Sequence, residues 1–209
     1  MSPDELLDSG LGALALDLSP EQRQQVDLYL DNLERWNQRF NLTAVRDRAS
    51  MVTRHILDSL AVKPFLGTGP VIDVGSGAGL PGIPLAISCP HVAITVLDSS
   101  GKRCAFLSQA RAALNLSNVD VVRERVETHR KSDGYQQIFS RAFASLDDMI
   151  TSAAHLLADD GEFVALKGKH PQQELEAIAK RASNIRVDSL QVPGLDEERC
   201  LIRFRMVSP

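Results

Sequence analysis

Apolar residues recur along this chain with two different periods. Over residues 3–16, Leu6, Leu7, Leu11, Leu14 and Leu16 fit one face of a short amphipathic helix. Ser19-Pro20-Glu21-Gln22 reads as a helix start, with a Ser cap, Pro at the first helical position and Gln three residues after the cap. Val26, Leu30, Leu33, Trp36 and Phe40 follow at helical spacing, with Leu28 and Tyr29 nearby, and this stripe is expected to be core. The segment from Trp36 to Thr43 breaks the helix, and a further helix is predicted from Ser50 to Ala61. In it His55 and Asp58 stand three apart, within reach of each other. No nucleophile accompanies them, so the pair is expected to hold helices together.

From residue 70 the period alternates between two and 3.6. Strands are predicted over 71–75, 93–98, 119–123, 137–142 and 161–167, and helices over 80–88, 101–114, 146–157 and 171–182. Two last strands, 185–192 and 199–207, are separated only by the turn Pro193-Gly194-Leu195-Asp196 and should pair antiparallel. Five parallel strands joined by crossovers, followed by a terminal hairpin, is the sheet of class I methyltransferases that use S-adenosylmethionine (SAM). It is a Rossmann-like, seven-stranded α/β fold. A plain dinucleotide fold would end in another βα unit. The expected organisation is a helical extension over 1–66 and a methyltransferase domain over 67–209.

The first strand runs into Asp73-Val74-Gly75-Ser76-Gly77-Ala78-Gly79-Leu80-Pro81-Gly82. Strand, glycine loop and helix N-terminus form the usual nucleotide-type site of α/β folds, because glycine lets a ligand approach the main chain. Gly77-x-Gly79-x-x-Gly82 also fits a dinucleotide fingerprint, so an NAD(P)-dependent oxidoreductase is the competing reading. Asp73 favours SAM: a carboxylate there can order the loop and reach a cationic amine, whereas it would repel a pyrophosphate. Asp98 ends the second strand, where an acid can accept ribose hydroxyls of either cofactor or cap the following helix.

Composition is that of a globular chain: 209 residues, 44% hydrophobic and 24% charged. Cys89, Cys104 and Cys200 are odd in number and far apart, which suits a reducing cytoplasm better than a disulfide framework. No acidic-free, basic leader opens the sequence, and no apolar run approaches a membrane span, so no membrane partner is expected. The net charge of −4 is uneven. Residues 1–31 hold seven acids and one base, which leaves +2 for the remainder. Local basic patches are therefore available, and a nucleic-acid partner would be chosen by shape more than by bulk attraction.

The carboxyl ends of the strands gather the remaining chemistry. Val126 and Glu127 follow the third strand, where an adenine would lie or an ordinary helix would start. Arg141 ends the fourth, nearest to a methyl acceptor; an arginine aimed into a cleft is a poor structural choice unless paired. Lys167, beside Gly168 and Lys169, either meets a phosphate or is a solvated strand end. After the fourth strand stands Ser140-Arg141-Ala142-Phe143 and not the (Asp/Asn)-Pro-Pro-aromatic segment of enzymes that methylate exocyclic amines. Scattered histidines and cysteines show no metal-ligand spacing, so no metal is expected. An acceptor that is nucleophilic when neutral, such as guanine N7, suits such a site.

The blocks Trp36-Asn37, Phe40-Asn41-Leu42-Thr43, Arg54-His55-Ile56-Leu57-Asp58-Ser59, Asp73 to Pro84, Leu97-Asp98-Ser99, Lys102-Arg103, Ser140-Arg141-Ala142-Phe143-Ala144 and Leu166-Lys167-Gly168 occur in one order. Through them the chain, from about residue 20 to 206, resembles the bacterial ribosomal small-subunit RNA methyltransferase G family (glucose-inhibited division protein B). The resemblance implies SAM-dependent methylation of a guanine N7 in 16S rRNA, in the cytoplasm, with 16S rRNA or the small ribosomal subunit as partner. It implies cofactor contacts at Gly75, Leu80, Val126, Glu127 and Arg141. It gives the helical extension a role as a cover that presents Arg39, Arg46 and Arg54 to RNA. A monomer with no DNA partner is expected.

Overall fold

The computed structural model describes residues 1–141, 143 and 145–207. Ala142, placed by the sequence reading at the end of the fourth strand, and Ala144, Ser208 and Pro209 lie outside the described residues.

The chain opens with helices α1 (Pro3–Ala13) and α2 (Pro20–Phe40). Both begin with the same device, a Ser cap whose oxygen accepts from the third residue on, while that residue's side chain bonds the cap's own N–H. α2 stops at Asn41, which turns left-handed with φ 48°. The helix predicted over 50–61 is in three pieces. α3 (Arg48–Met51) and α4 (Asp58–Leu60) flank a π-helical turn, Val52–Leu57. Periodicity does not signal a π turn, since it inserts one residue without changing the apolar character of the segment.

Seven strands follow: β1 (Val71–Val74), β2 (Ile94–Leu97), β3 (Val119–Val122), β4 (Tyr135–Ser140), β5 (Leu157–Lys167), β6 (Ala182–Ser189) and β7 (Cys200–Met206). Between them lie α5 (Gly82–Ser88), α6 (Gly101–Ala113), α7 (Leu146–Ala153) and α8 (Gln172–Ile178). The sheet order is β3-β2-β1-β4-β5-β7-β6. β1 to β5 pair in parallel, and β7 enters antiparallel between β5 and β6. The predicted terminal hairpin is thus present, with its second strand inside the sheet. The helix predicted over 146–157 gives way to a 3-10 turn at Ala154, and β5 begins at Leu157 with a bulge opposite Tyr135–Gln137.

Alternation along β1 sorts the molecule into two faces. Ile72 and Val74 join Ile138, Phe163, Ile202 and α7 in one core. Val71 lies in the other core, where α1, α2 and the π turn pack with α5 and α6 through residues such as Leu11, Leu33, Leu57, Ile83 and Phe106. Asp73, odd like Val71, therefore points to the face that the N-terminal helices cover. Among the described residues, no helix is long and apolar enough to cross a membrane.

Candidate active site

β1 delivers the chain into a loop that two carboxylates shape. Gly75, Gly77 and Gly79 all adopt positive φ, which a side chain would resist. The Gly77 N–H donates to Asp98 Oδ2 at 3.0 Å, and the Gly82 N–H donates to Asp73 Oδ2 at 3.0 Å. Asp98 Oδ1 accepts from the N–H of Ser100, the residue just ahead of α6, at 2.8 Å, and Arg103 Nη1 lies 3.3 Å from its Oδ2. The Ser76 hydroxyl donates to the Asp73 carbonyl. From the other layer, the Tyr29 hydroxyl of α2 donates to the Ala78 carbonyl at 2.6 Å. Tyr29 is fully buried, and sequence reasoning left it beside the apolar stripe; a hydroxyl next to the core face of a helix was the available signal.

Asp73 uses one oxygen for the loop. Its Oδ1 is buried and has no hydrogen-bond partner among the described residues. Burial pushes its carboxyl up to about 7, against the Gly82 N–H and the charge of Arg141, which pull it down. An orphaned buried acceptor is costly unless something meets it.

Beside the loop, a cavity of about 200 Å³ opens between the ends of β1, β2 and β3; its walls include Gly75, Asp98, Arg103, Val126, Glu127 and Phe143. A Cβ added at Gly75 would meet nothing within 4 Å, so the bare backbone leaves approach space there. The loop carrying Val126 and Glu127 is braced by His129, whose ring hydrogen-bonds Glu124 and the Tyr135 hydroxyl, each at 2.9 Å. The donor set fits SAM. Asp73 Oδ1 suits a cationic amine, Asp98 suits ribose hydroxyls, and the cavity suits an adenine. A larger hollow of about 610 Å³ lies between Gly168 and the hairpin. None of its walls belongs to the glycine loop, so the smaller cavity is the cofactor candidate.

Arg141 follows the end of β4, and it is paired: Nη1 lies 3.2 Å from Asp58 Oδ2 and donates to the Arg54 carbonyl at 3.2 Å. Asp58 does not meet His55. The His55 Nε2 hydrogen-bonds the Thr43 hydroxyl at 2.9 Å, while both Asp58 oxygens face arginines, Arg141 and Arg199. Three-residue spacing placed the pair together only for a regular α-helix, and the π turn between them changes the angle. Burial pushes the Asp58 carboxyl up, and the two guanidinium groups draw it back. Arg199 and Glu197, distant hairpin residues, had no sequence signal at this site.

The residues predicted to meet RNA are not gathered alike. Arg39 and Arg46 are exposed at the end of α2 and just beyond it, with Arg46 Nη2 donating to Asn41 Oδ1 at 2.7 Å. Arg54 pairs with Glu197 at 2.6 Å. Lys167 is mostly buried and its Nζ lies 2.8 Å from Glu174 Oε2, so its charge is already answered inside the protein.

Comparison with known proteins is decisive on the family. The family model for rRNA small subunit methyltransferase G matches residues 22–202. The chain belongs to that family. A ribosomal RNA small subunit methyltransferase G of Alteromonas mediterranea is 46% identical over 197 residues, covering 94% of this chain and 93% of that one. One of the same description from Marinobacter nauticus is 46% identical, covering 96% and 93%. Among solved structures, a tRNA methyltransferase of Aquifex aeolicus superposes with a TM-score of 0.58 at 16% identity, covering 73% of this chain and 69% of that one. The N-methyltransferase NodS of Bradyrhizobium japonicum, solved with S-adenosyl-L-homocysteine, gives 0.56 at 15%, covering 86% and 99%. The fold is that of class I methyltransferases, the enzyme is SAM-dependent, and the oxidoreductase alternative has no support.

Proposed function

We propose that this chain transfers the methyl group of SAM to N7 of one guanine in 16S rRNA, acting as a monomer in the bacterial cytoplasm. The carrying observation is the family match over residues 22–202, joined to a glycine loop with both acids in position. When bound, SAM supplies an electrophilic methyl on a cationic sulfur.

The chain's own part is alignment and charge. Asp73 Oδ1 receives the amine of the cofactor, and Asp98 receives the ribose hydroxyls. Val126 and Glu127 flank the adenine, and Gly75 and Leu80 contact the cofactor through the loop. Arg141 stands between cofactor and acceptor. Guanine N7 carries a free lone pair, so no proton must leave before the methyl is taken. An arginine remains cationic and is no base, so its use here is orientation of the acceptor, and orientation of well-placed reactants can supply roughly 7–11 kcal/mol of a barrier in all. Arg39, Arg46 and Arg54 meet RNA phosphates; Lys167, held by Glu174, contributes least to that contact. The target guanine must be unpaired or turned out of its helix to reach the site.

The test is labelled methyl transfer from SAM to 16S rRNA from a strain lacking this protein, followed by nucleoside analysis. Label in 7-methylguanosine at one position is expected. Label in another nucleoside, or none with SAM still bound, would overturn the acceptor.

A further inference from the structure

Three segments far apart in sequence meet behind Arg141. Arg54 and Asp58 come from the π turn and α4, Arg141 from the end of β4, and Glu197 and Arg199 from the hairpin turn before β7. They close a ring of contacts. Arg54 Nη2 meets Glu197 Oε1 at 2.6 Å, and Glu197 Oε2 meets Arg199 Nη2 at 3.1 Å. Arg199 Nε meets Asp58 Oδ1 at 3.1 Å, and Asp58 Oδ2 meets Arg141 Nη1 at 3.2 Å. Arg141 Nη1 returns to the Arg54 carbonyl at 3.2 Å.

The π turn makes the last contact possible. The Asp58 N–H donates to the Thr53 carbonyl, five residues back, and to the His55 carbonyl. It passes over the Arg54 carbonyl, the acceptor a regular α-helix would use. That carbonyl accepts from Arg141 instead. One inserted residue thus turns a carbonyl and a carboxylate toward the same guanidinium nitrogen. π turns concentrate at functional sites for this kind of reason.

The ring is not evenly exposed. Arg54 and Glu197 are about half in solvent, whereas Asp58 is 3% exposed. Surface pairs of the first kind hold little. Asp58 is the buried link, and with Nη1 held by two acceptors the planar guanidinium of Arg141 has its orientation set. The Arg141 charge also reaches the glycine loop, since it acts on both the Asp73 carboxyl and the Tyr29 hydroxyl.

We infer that Asp58, together with the Arg54 carbonyl presented by the π turn, positions Arg141 for methyl transfer, and that Arg199 serves to hold Asp58. This rests on the reading of Arg141 as the residue between cofactor and acceptor. Asp58 is a positioning residue; it touches neither.

The experiment compares variants at Asp58, Arg199 and Arg141 in methyl transfer to 16S rRNA, with thermal unfolding measured on each. Asp58→Asn alone would leave two arginines facing each other in a buried site. Asp58→Asn/Arg199→Met restores the local charge sum and leaves Arg141 without its anchor. Arg199→Met alone frees one Asp58 oxygen but leaves the contact between Asp58 and Arg141, so it should lose less kcat than the double variant. The double variant is expected to lose kcat on the order of 100-fold, a larger factor than any rise in KM for SAM, the scale of a misplaced catalytic group. Adding Arg141→Ala to it should cost nothing more, because the two act as one unit. Near-parent kcat in the double variant overturns the inference. Parent-like kcat in Arg141→Ala alone removes the reading beneath it, an outcome separable from the first. If the double variant does not fold, Asp58→Glu keeps every charge; it should lose about tenfold in kcat at an unchanged melting temperature, and full kcat there overturns the inference equally.

Discussion

The amine-binding role proposed for Asp73 ties cofactor binding to pH. Its carboxyl is pushed up to about 7 by burial, so below that value the protonated form dominates. A cationic amine prefers the carboxylate. Binding of SAM should therefore tighten as pH rises from 6 to 8 and release a proton, seen by calorimetry in buffers of different ionisation enthalpy. Asp73→Asn should bind weakly and lose that pH dependence; an unchanged pH profile in the variant would remove Asp73 from the amine site. The same carboxyl acts on stability. Unfolded, it ionises near 3.8; folded, it holds its proton to about 7. The unfolded state then binds fewer protons, and stability falls as pH rises through that window. His55 has the opposite sign. Burial holds its imidazole down to about 4 against 6.5 unfolded, so its contribution is lost as pH falls from 6.5 to 4. The two slopes oppose each other between about 4 and 6.5. Asp73→Asn should uncover a stability that rises with pH there, and His55→Gln one that falls, both read from denaturant midpoints. Arg141→Ala is expected to lower methyl transfer on the order of 100-fold with the fold retained; near-normal turnover would take it out of the site.

At the scale of elements, the glycine loop is clamped between β1 and α2. Tyr29→Phe removes the bond to the Ala78 carbonyl and leaves that buried acceptor unmet. A loss of about 1–3 kcal/mol is expected in equilibrium unfolding, with weaker SAM binding. Helix α1 touches the π turn at closest approach through Gly10, where an added Cβ would lie 2.3 Å from Leu57 Cδ1. Leu57 is fully buried, so its side chain must shift within a packed core, and Gly10→Ala should cost about 1–3 kcal/mol in the same measurement. Much of this architecture was legible in the sequence. Alternating and helical periods gave the strands, the crossovers and the antiparallel end, and the loop announced itself through glycine spacing with Asp73 and Asp98. The partners of those residues were not legible. Tyr29 sits beside an apolar stripe and reads as packing. Asp58 reads as half of a His–Asp pair because spacing assumes a regular helix, and its real partners lie 83 and 141 residues away, Arg141 by subtraction and Arg199 by its contact. Lys167 reads as a free strand-end cation because Glu174, which answers it, lies on the next helix.

For the molecule as a whole, the charge is divided. The net negative charge lies in residues 1–31, and part of it is answered inside the extension, where Arg48 meets Asp27 and Asp31, with Glu34 beside them, and Arg23 meets Asp8. The arginines at the end of α2 stay exposed, and they are the ones proposed to meet RNA. A protein with few such cations should bind 16S rRNA with a shallow dependence on salt, and Arg39→Ala should reduce the slope of log affinity against log salt by about 0.7. An unchanged slope would place Arg39 away from the RNA.

The strand order also sets a timetable. β6 touches the sheet only through β7, and β7 is made after it. A chain leaving the ribosome has its glycine loop and both acids long before it has Arg199, which stands one residue ahead of β7. Until that last strand slides in beside β5, β6 has no place to lie and Asp58 lacks one of its two arginines. The glycine loop and both acids can form early in synthesis, yet Asp58 gains its second arginine only after β6 has been made, so a chain that stops before Arg199 would carry the loop with Asp58 held on one side alone.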